Sequence, residues 1–398
     1  MIFNEALYGV FLLLSVLGFF AVPLIWRGGW LALTGFVFYA WYGGPFVWLF
    51  LIEATVVYFA IRRFRQDKRI FALLLCLAVA LLVGFKYRNL LLGSWFELRH
   101  LATGSSIPTL ERFVFPLAIS FFSFEFIHYL VDVYKGKIGP HRFRDYMAFI
   151  LFFPTMVAGP IKRFQDFVPK LSTARFEWEH LRIGLLRICI GLGKKMIIAD
   201  SLDLWIQPLM SENAANAASG TTLWIALLAY SLKIYTDFSG YSDIAIGSAR
   251  LFGIVVPENF NWPYLRRNIA EFWRHWHISL SSWITDYVYI SLGGSRVKFP
   301  RLLLNLLLAM GVSGIWHGAE WHFLVWGLYH GAMLVIHRVF KDKVAPHLPW
   351  LEQLRWATTP LFTLLTFVLV TLGWGLFIMP VGRFMGLLPK LVGVELNG

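Results

Sequence analysis

The sequence predicts an all-α polytopic integral membrane protein, and three observations carry that prediction. Of its 398 residues 58% are apolar and only 15% are charged, whereas an ordinary soluble domain carries charge on about a quarter of its residues. The apolar residues gather into runs long enough to enter or cross a bilayer. Basic residues outnumber acidic ones, 36 against 23, for a net charge of +13, and they sit in short groups between those runs. A basic excess distributed in this way marks membrane topology and speaks against a nucleic-acid partner, which would need one continuous stripe.

In chain order, candidate spans fall near residues 7–25, 29–43, 44–61, 70–87, 113–131, 144–158, 181–198, 221–236, 240–255, 301–316, 321–340 and 357–379. The first follows the acidic Glu5 rather than a basic segment, so it reads as a retained helix and not as a cleaved leader. Several runs fall short of the roughly 20 residues that cross a hydrocarbon core, and those around 40, 155 and 320 suit broken, re-entrant or tilted helices. The basic loops at 62–69 (RRFRQDKR) and 135–144 (KGKIGPHRFR) are assigned to the cytoplasmic side, while 211–220, which has no basic residue, is assigned to the outer side. Trp26, Trp41, Trp95, Trp205 and Trp262 lie beside span ends, where an indole anchors at the headgroup level. Residues 159–180 mix aromatic and charged residues, as an interfacial helix or an irregular loop would. Cys76 and Cys189 lie in apolar stretches without metal or disulfide spacing, so they read as packing residues. With no repeat and no long polar tract, residues 1–398 read as one membrane domain.

Polar side chains inside membrane sequence are functional or bundle-facing by default. In residues 271–296 (EFWRHWHISLSSWITDYVYISLGGSR) a continuous amphipathic helix would align Arg274, His277 and Ser281 on one face and bring His277 inward, with Arg274 and His275 free to reach phosphate headgroups. In residues 310–331 (MGVSGIWHGAEWHFLVWGLYHG) His317 precedes Gly318, whose missing Cβ permits close approach. A neutral histidine there can take a proton from a hydroxyl. Glu320, His322 and His330 accompany it, His322 and His330 reading more readily as structural. Gly327 and Gly331, four apart, offer a small face for helix packing. Further carboxylates, Glu53, Glu125, Asp132, Asp237, Asp243 and Asp286, sit in or beside apolar sequence. The run 233–250 (KIYTDFSGYSDIAIGSAR) suggests a cavity lining or broken helix whose carboxylates orient a histidine or pair with Arg250 or Lys233.

Nucleophile-elbow, phosphate-loop, HExxH and dinucleotide motifs are all absent. A histidine base acting on a hydroxyl, with an acyl group arriving as a thioester, needs only alignment, a base and donors for the developing oxyanion. His317 suits the base and His277 a positioning or stabilising group. A metal centre drawing on His275, His277, His317 and His322, with Asp237 or Asp243, is a weaker reading because only 11 histidines are present. A transporter, its polar groups lining a path, is the other rival.

The segments 116–136 (PLAISFFSFEFIHYLVDVYKG), 152–164 (FFPTMVAGPIKRF), 235–247 (YTDFSGYSDIAIG), 259–296 (ending in WHISLSSWITDYVYISLGGSR) and 314–331 (GIWHGAEWHFLVWGLYHG) together resemble the membrane-bound O-acyltransferase family, and most of all its alginate- and peptidoglycan-acetylating branch. The likeness covers about residues 5–380, with its core motifs at 116–331. It implies a ring of about 10–12 transmembrane and re-entrant helices around a central funnel or tunnel. It implies His317 as the catalytic histidine and His277 as the second active-site position. It implies no permanently bound cofactor and no metal, with acetyl-CoA as acyl donor on the cytoplasmic side of a bacterial cell membrane. The acceptor would be a cell-surface polysaccharide or other glycan, reached through a separate extracytoplasmic acetyltransferase partner. Transfer of D-alanine to teichoic acid from a carrier protein is the neighbouring alternative. Ser291 stands where this branch usually has proline, at an expected turn.

Overall fold

A computed structural model describes residues 5–111 and 114–394. No strand occurs among the described residues, and the chain divides into two compact units, Met1–Gly191 with Tyr241–Pro257, and Leu192–Gly240 with Glu258–Gly398.

The first unit is built from α1 (Ala6–Ala21), α2 (Arg27–Gly43), α3 (Phe46–Arg63), α4 (Lys68–Lys86), α5 (Arg88–Thr103), α6 (Ile119–Tyr134), α7 (Phe143–Ile150), α8 (Phe153–Met156), α9 (Phe164–Thr173) and α10 (Trp178–Leu192). The span assigned from residue 113 begins as a helix only at Ile119; residue 113 lies outside the described residues. The run at 144–158 is interrupted as expected, because α7 stops at Ile150 and α8 resumes for one turn with a proline near its start. Asp67 caps α4 by accepting the backbone N–H groups of Arg69 and Ile70 at 2.8 and 3.2 Å. The two basic loops assigned to one side of the membrane lie against each other. Arg62 donates to the His141 carbonyl at 2.7 Å, and Arg65 to the Val133 and Ile138 carbonyls at 3.2 and 2.8 Å. Residues 164–173 form a helix rather than an irregular loop, burying Phe164, Phe167 and Leu171 on one face.

The sequence-assigned break between 221–236 and 240–255 does not exist: α13 (Gly220–Leu251), which follows the short α11 (Gln207–Met210) and α12 (Glu212–Ala217), runs without interruption. Thr236 in the polar run bonds back to the Leu232 carbonyl at 2.8 Å, as Ser231 just before it does to the Leu227 carbonyl at 2.9 Å, so these hydroxyls need no break in the helix. Its carboxylates also find partners other than Arg250 and Lys233. Asp237 sits 3.1 Å from Lys195 and Asp243 sits 3.0 Å from Arg187, while Lys233 pairs with Asp203.

The second unit continues with α14 (Ile269–His275), α15 (Ile278–Ile284), α16 (Phe299–His317), α17 (Trp321–Val339), α18 (Trp350–Gln353), α19 (Arg355–Ile378) and α20 (Val381–Leu391). Four helices among the described residues are long and apolar enough to cross a membrane: α4, α16, α17 with its extension to His347, and α19. A helix of 19 residues such as α4 or α16 reaches about 28 Å, close to the hydrocarbon thickness. Apolar side chains remain exposed along their outer faces, including Leu73 on α4 and Leu361 and Leu364 on α19, as lipid-facing surfaces require. The five tryptophans assigned to anchoring are all exposed, between 58% and 72%. Cys76 and Cys189, expected to pack inside, are exposed on their helices instead. In an apolar solvent a thiol gains little by burial, so hydropathy alone does not separate a core face from a lipid face.

Candidate active site

His277 sits at a break that the sequence pattern conceals. The amphipathic reading of 271–296 requires one continuous helix, but α14 ends at His275, Trp276 is extended, and His277 adopts left-handed angles of φ 43° and ψ 56° before α15 begins. Histidine enters this region more readily than most side chains, though still at a cost of about 1–2 kcal/mol. Asn259 holds the break open. Its carbonyl accepts the Ile278 N–H at 2.9 Å, and its side-chain oxygen accepts the Ser279 hydroxyl at 2.6 Å and the Ser279 N–H at 3.3 Å. Beside it, the Asn261 N–H donates to the His275 carbonyl at 3.1 Å. Asn259 is fully buried, and nothing in the sequence marks it except its place in the NFNWP run. The outcome for His277 is the inward aim the sequence suggests, reached by a different backbone: the ring is 1% exposed and neither nitrogen has a hydrogen-bond partner among the described residues. Burial, and then the neighbouring His317, push its pKa well below the ordinary value, so the ring is neutral.

His317 is the last residue of α16, one position before the chain turns into α17. The two helices cross where Gly314 faces Gly327: a Cβ on Gly327 would stand 2.3 Å from the Met310 carbonyl oxygen and 2.9 Å from the Gly314 Cα. Gly331, the other member of the small face, is also close-packed, with Leu307 and Met310 about its absent Cβ at 3.2 Å. Gly318 differs from expectation. The space its side chain would take is filled by the Phe323 ring, 2.0 Å from an ideal Cβ, so this glycine admits a neighbouring aromatic residue rather than a ligand.

The two histidines come together, their ring centroids 6.5 Å apart. Aromatic rings surround them. Phe238 meets His277 edge-on at 4.6 Å, and Trp316 lies 5.7 Å from it. Trp326 and Phe377 stand against His317 at 5.0 and 5.2 Å. His317 keeps partial exposure while His277 is sealed. The hydroxyl of Ser281, expected on the same face, bonds the Trp276 carbonyl at 3.2 Å.

The other candidates separate from this pair. His322 lies 3.3 Å from Glu320, and the His275 ring lies 2.7 Å from the Glu271 carbonyl of its own helix. Among the described residues no group of three or more histidine, cysteine, aspartate or glutamate side chains is arranged to hold a metal ion. His330, by contrast, is fully buried and reaches the site through Trp326, whose ring lies 4.9 Å from it and 5.0 Å from His317. Ser291 falls in the turn after α15, where Gly293 and Gly294 take positive φ and the Asn305 amide donates to the Leu292 and Gly294 carbonyls.

Comparison with known proteins identifies a family. The model of the MBOAT, membrane-bound O-acyltransferase, family matches residues 69–378. A probable alginate O-acetylase of Pseudomonas aeruginosa is 37% identical over 357 residues, covering 87% of this chain and 66% of the relative. A peptidoglycan O-acetyltransferase of Helicobacter pylori is 33% identical over 418 residues, covering 95% of this chain and 77% of the relative. A teichoic acid D-alanyltransferase of Bacillus subtilis is 32% identical over 275 residues, covering 66% of this chain and 68% of the relative. The chain thus spans about two thirds to three quarters of the length of these relatives.

Proposed function

The chain belongs to the membrane-bound O-acyltransferase family, and from that premise we propose that it is an O-acetyltransferase, moving an acetyl group from a cytoplasmic thioester, acetyl-CoA, toward hydroxyl groups of an extracytoplasmic polysaccharide. The observation that carries this reading is the pairing of His277 and His317 at 6.5 Å inside an aromatic enclosure, His317 being the less buried of the two. That spacing exceeds direct hydrogen-bond reach between the rings, and in this reading one hydroxyl or thioester group meets both.

His317 acts as the general base. An imidazole nitrogen lone pair takes the proton of the acceptor hydroxyl as that oxygen bonds to the acyl carbon, and the carbonyl π electrons move onto the carbonyl oxygen. When they return, the C–S bond breaks and the departing thiolate takes the proton back from the His317 imidazolium. The products are an ester and a free thiol. His277, held neutral and aimed by a fixed backbone, positions the reacting group. The aromatic walls exclude water and so protect the thioester from hydrolysis.

The acetyl-transferring relatives favour acetyl over D-alanyl as the group moved, because they match more of this chain. The acceptor we propose is a cell-envelope glycan, reached through a separate extracytoplasmic acetyltransferase. The protein resides in the bacterial cell membrane. The test is purified protein in nanodiscs given labelled acetyl-CoA, with label followed into glycan or partner protein. Acetyl transfer by the wild type, and transfer lower by about 10²–10⁴-fold in His317→Ala, is expected. Label that moves only from a D-alanyl carrier protein would overturn the acetyl assignment, and solute movement without any acyl transfer would overturn the enzymatic one.

A further inference from the structure

One cluster beside His317 is polar in a way that the base and its positioning partner leave unused. His330, Trp273 and Trp326 touch one another in a closed triad, with ring centroids 5.1 Å apart for Trp273 and His330, 5.6 Å for Trp273 and Trp326, and 4.9 Å for Trp326 and His330. All three are buried, His330 and Trp326 completely. Both ring nitrogens of His330 and the indole nitrogens of Trp273 and Trp326 have no hydrogen-bond partner among the described residues.

Other aromatic side chains packed against the triad do find partners. Trp374, in contact with both Trp326 and His330, donates its indole N–H to the Tyr264 hydroxyl at 3.0 Å, and that hydroxyl donates onward to the Ser231 carbonyl at 2.8 Å. The Tyr329 hydroxyl donates to the Leu369 carbonyl at 2.9 Å. Four unsatisfied polar atoms gathered in one triad, beside phenols and an indole that are satisfied, call for a hydrogen-bonding group to pair with them.

The chemistry of that group follows from the inventory. Two indoles are donors only, and a neutral imidazole brings one donor and one acceptor. Three donors against one acceptor fit an oxygen that carries lone pairs and gains negative charge. The shared Trp326 ring places the triad directly beside the base. We propose that His330, Trp273 and Trp326 form the oxyanion-stabilising subsite of the transfer reaction, donating to the acyl carbonyl oxygen of the thioester, and that His330 is a further catalytic residue. The proposal rests on the acyl-transfer reading above. In the step already written, the hydroxyl oxygen bonds to the acyl carbon and the π pair moves to the carbonyl oxygen. The triad adds no bond and takes no proton. Its hydrogen bonds strengthen as that charge builds and relax when the thiolate leaves, which is where preorganised donors lower a barrier most.

The experiment uses the full chain in nanodiscs with coenzyme A acetylated with a 13C-labelled carbonyl as probe, and two readouts. Infrared difference spectra report the labelled carbonyl stretch in the bound state, and single-turnover kinetics report transfer. Trp273→Phe and Trp326→Phe keep the aromatic ring and remove only the N–H; His330→Ala removes the imidazole and His330→Gln restores one donor. The wild type is expected to shift the bound carbonyl stretch to lower frequency. Each N–H deletion should lose part of that shift and lower the rate about 100-fold at unchanged probe affinity, with His330→Gln recovering part of what His330→Ala loses. A bound probe with an unshifted carbonyl, or Phe variants that transfer at wild-type rates, would overturn the subsite and leave the acyl-transfer reading standing; the triad would then enclose structural water. A wild type that binds no acyl thioester at all would overturn that reading, and the proposal with it.

Discussion

Replacing Gly327 with alanine drives a methyl group into the crossing of α16 and α17. The new carbon would lie 2.3 Å from the Met310 carbonyl oxygen and 2.9 Å from the Gly314 Cα, where ordinary contact begins at 3.4 Å. Both obstacles are backbone atoms, so no side chain can rotate away and the helices must part by about 1 Å. Overpacking of this kind costs about 1–3 kcal/mol, and a rigid backbone obstacle puts it near the upper end. Alanine recovers up to about 1 kcal/mol through its better helix propensity, leaving a net loss of about 2 kcal/mol. The chemistry should suffer more than the fold. His317 ends α16 and Trp326 precedes Gly327 on α17, so a 1 Å separation moves the base against its aromatic wall, a displacement worth about 100-fold in rate. Denaturant titration in bicelles would measure the first effect and acyl transfer in nanodiscs the second. Gly386→Ala is the control: it lies within α20 with nothing within 4 Å of the added carbon, and should be neutral or slightly stabilising. If Gly327→Ala matches both the wild type and this control in midpoint and rate, the close helix crossing is not what positions the base.

Three other substitutions probe different parts of the molecule. His317→Ala should lower acyl transfer by about 10²–10⁴-fold, the range for a lost general base, while the protein still inserts and purifies as a folded species; transfer at the wild-type rate would remove His317 from the mechanism. Because burial and the adjacent His317 keep His277 neutral well below its ordinary pKa of 6.5, His277→Gln should reduce the rate without removing any inflection from the pH–rate profile between pH 5 and 8; an inflection that vanishes with the ring would show that His277 itself titrates there. In the first unit Lys162 and Glu125 form a buried ion pair, with the Lys162 ammonium 4.6 Å from the centre of the Phe149 ring. Lys162→Met alone should destabilise by about 3–5 kcal/mol by stranding the carboxylate, and the double change Lys162→Met with Glu125→Leu should recover most of that loss. Equal midpoints for the single and double variants would refute the coupling.

Much of this was readable in the residues because lipid simplifies the code. Helices such as α16, α17 and α19 begin and end within a few residues of their apolar runs, and the tryptophans at span ends lie on the surface where amphipathic rings belong. The failures cluster where a contact distant in sequence overrules a local pattern. Arg274, His277 and Ser281 obey helical spacing, yet Asn259 captures the backbone at Ile278 and Ser279 and breaks the helix between them. Residues 233–250 look like a broken helix or a cavity lining because hydroxyls and glycines are dense there, yet the helix runs through them and a hydroxyl such as that of Thr236 bonds back to its own helix. Gly318 looks like an approach for substrate, yet a ring five residues on takes the space. His330 reads as a structural histidine from its neighbours in sequence. Only three-dimensional packing shows that its nitrogens, like two neighbouring indoles, lack the partners that Trp374 and Tyr329 have.

The left-handed backbone at His277 sets stability against function at a single position. Glycine occupies that conformation without steric penalty and asparagine tolerates it better than most residues. A screen for thermal endurance would therefore tend to pull this position away from histidine, and the variants it enriched would be the ones to check first for lost catalysis. Consensus or computational stabilisation of this chain should hold residue 277 fixed, together with the Asn259 that pins it, and draw its gains from surfaces such as the exposed face of α20.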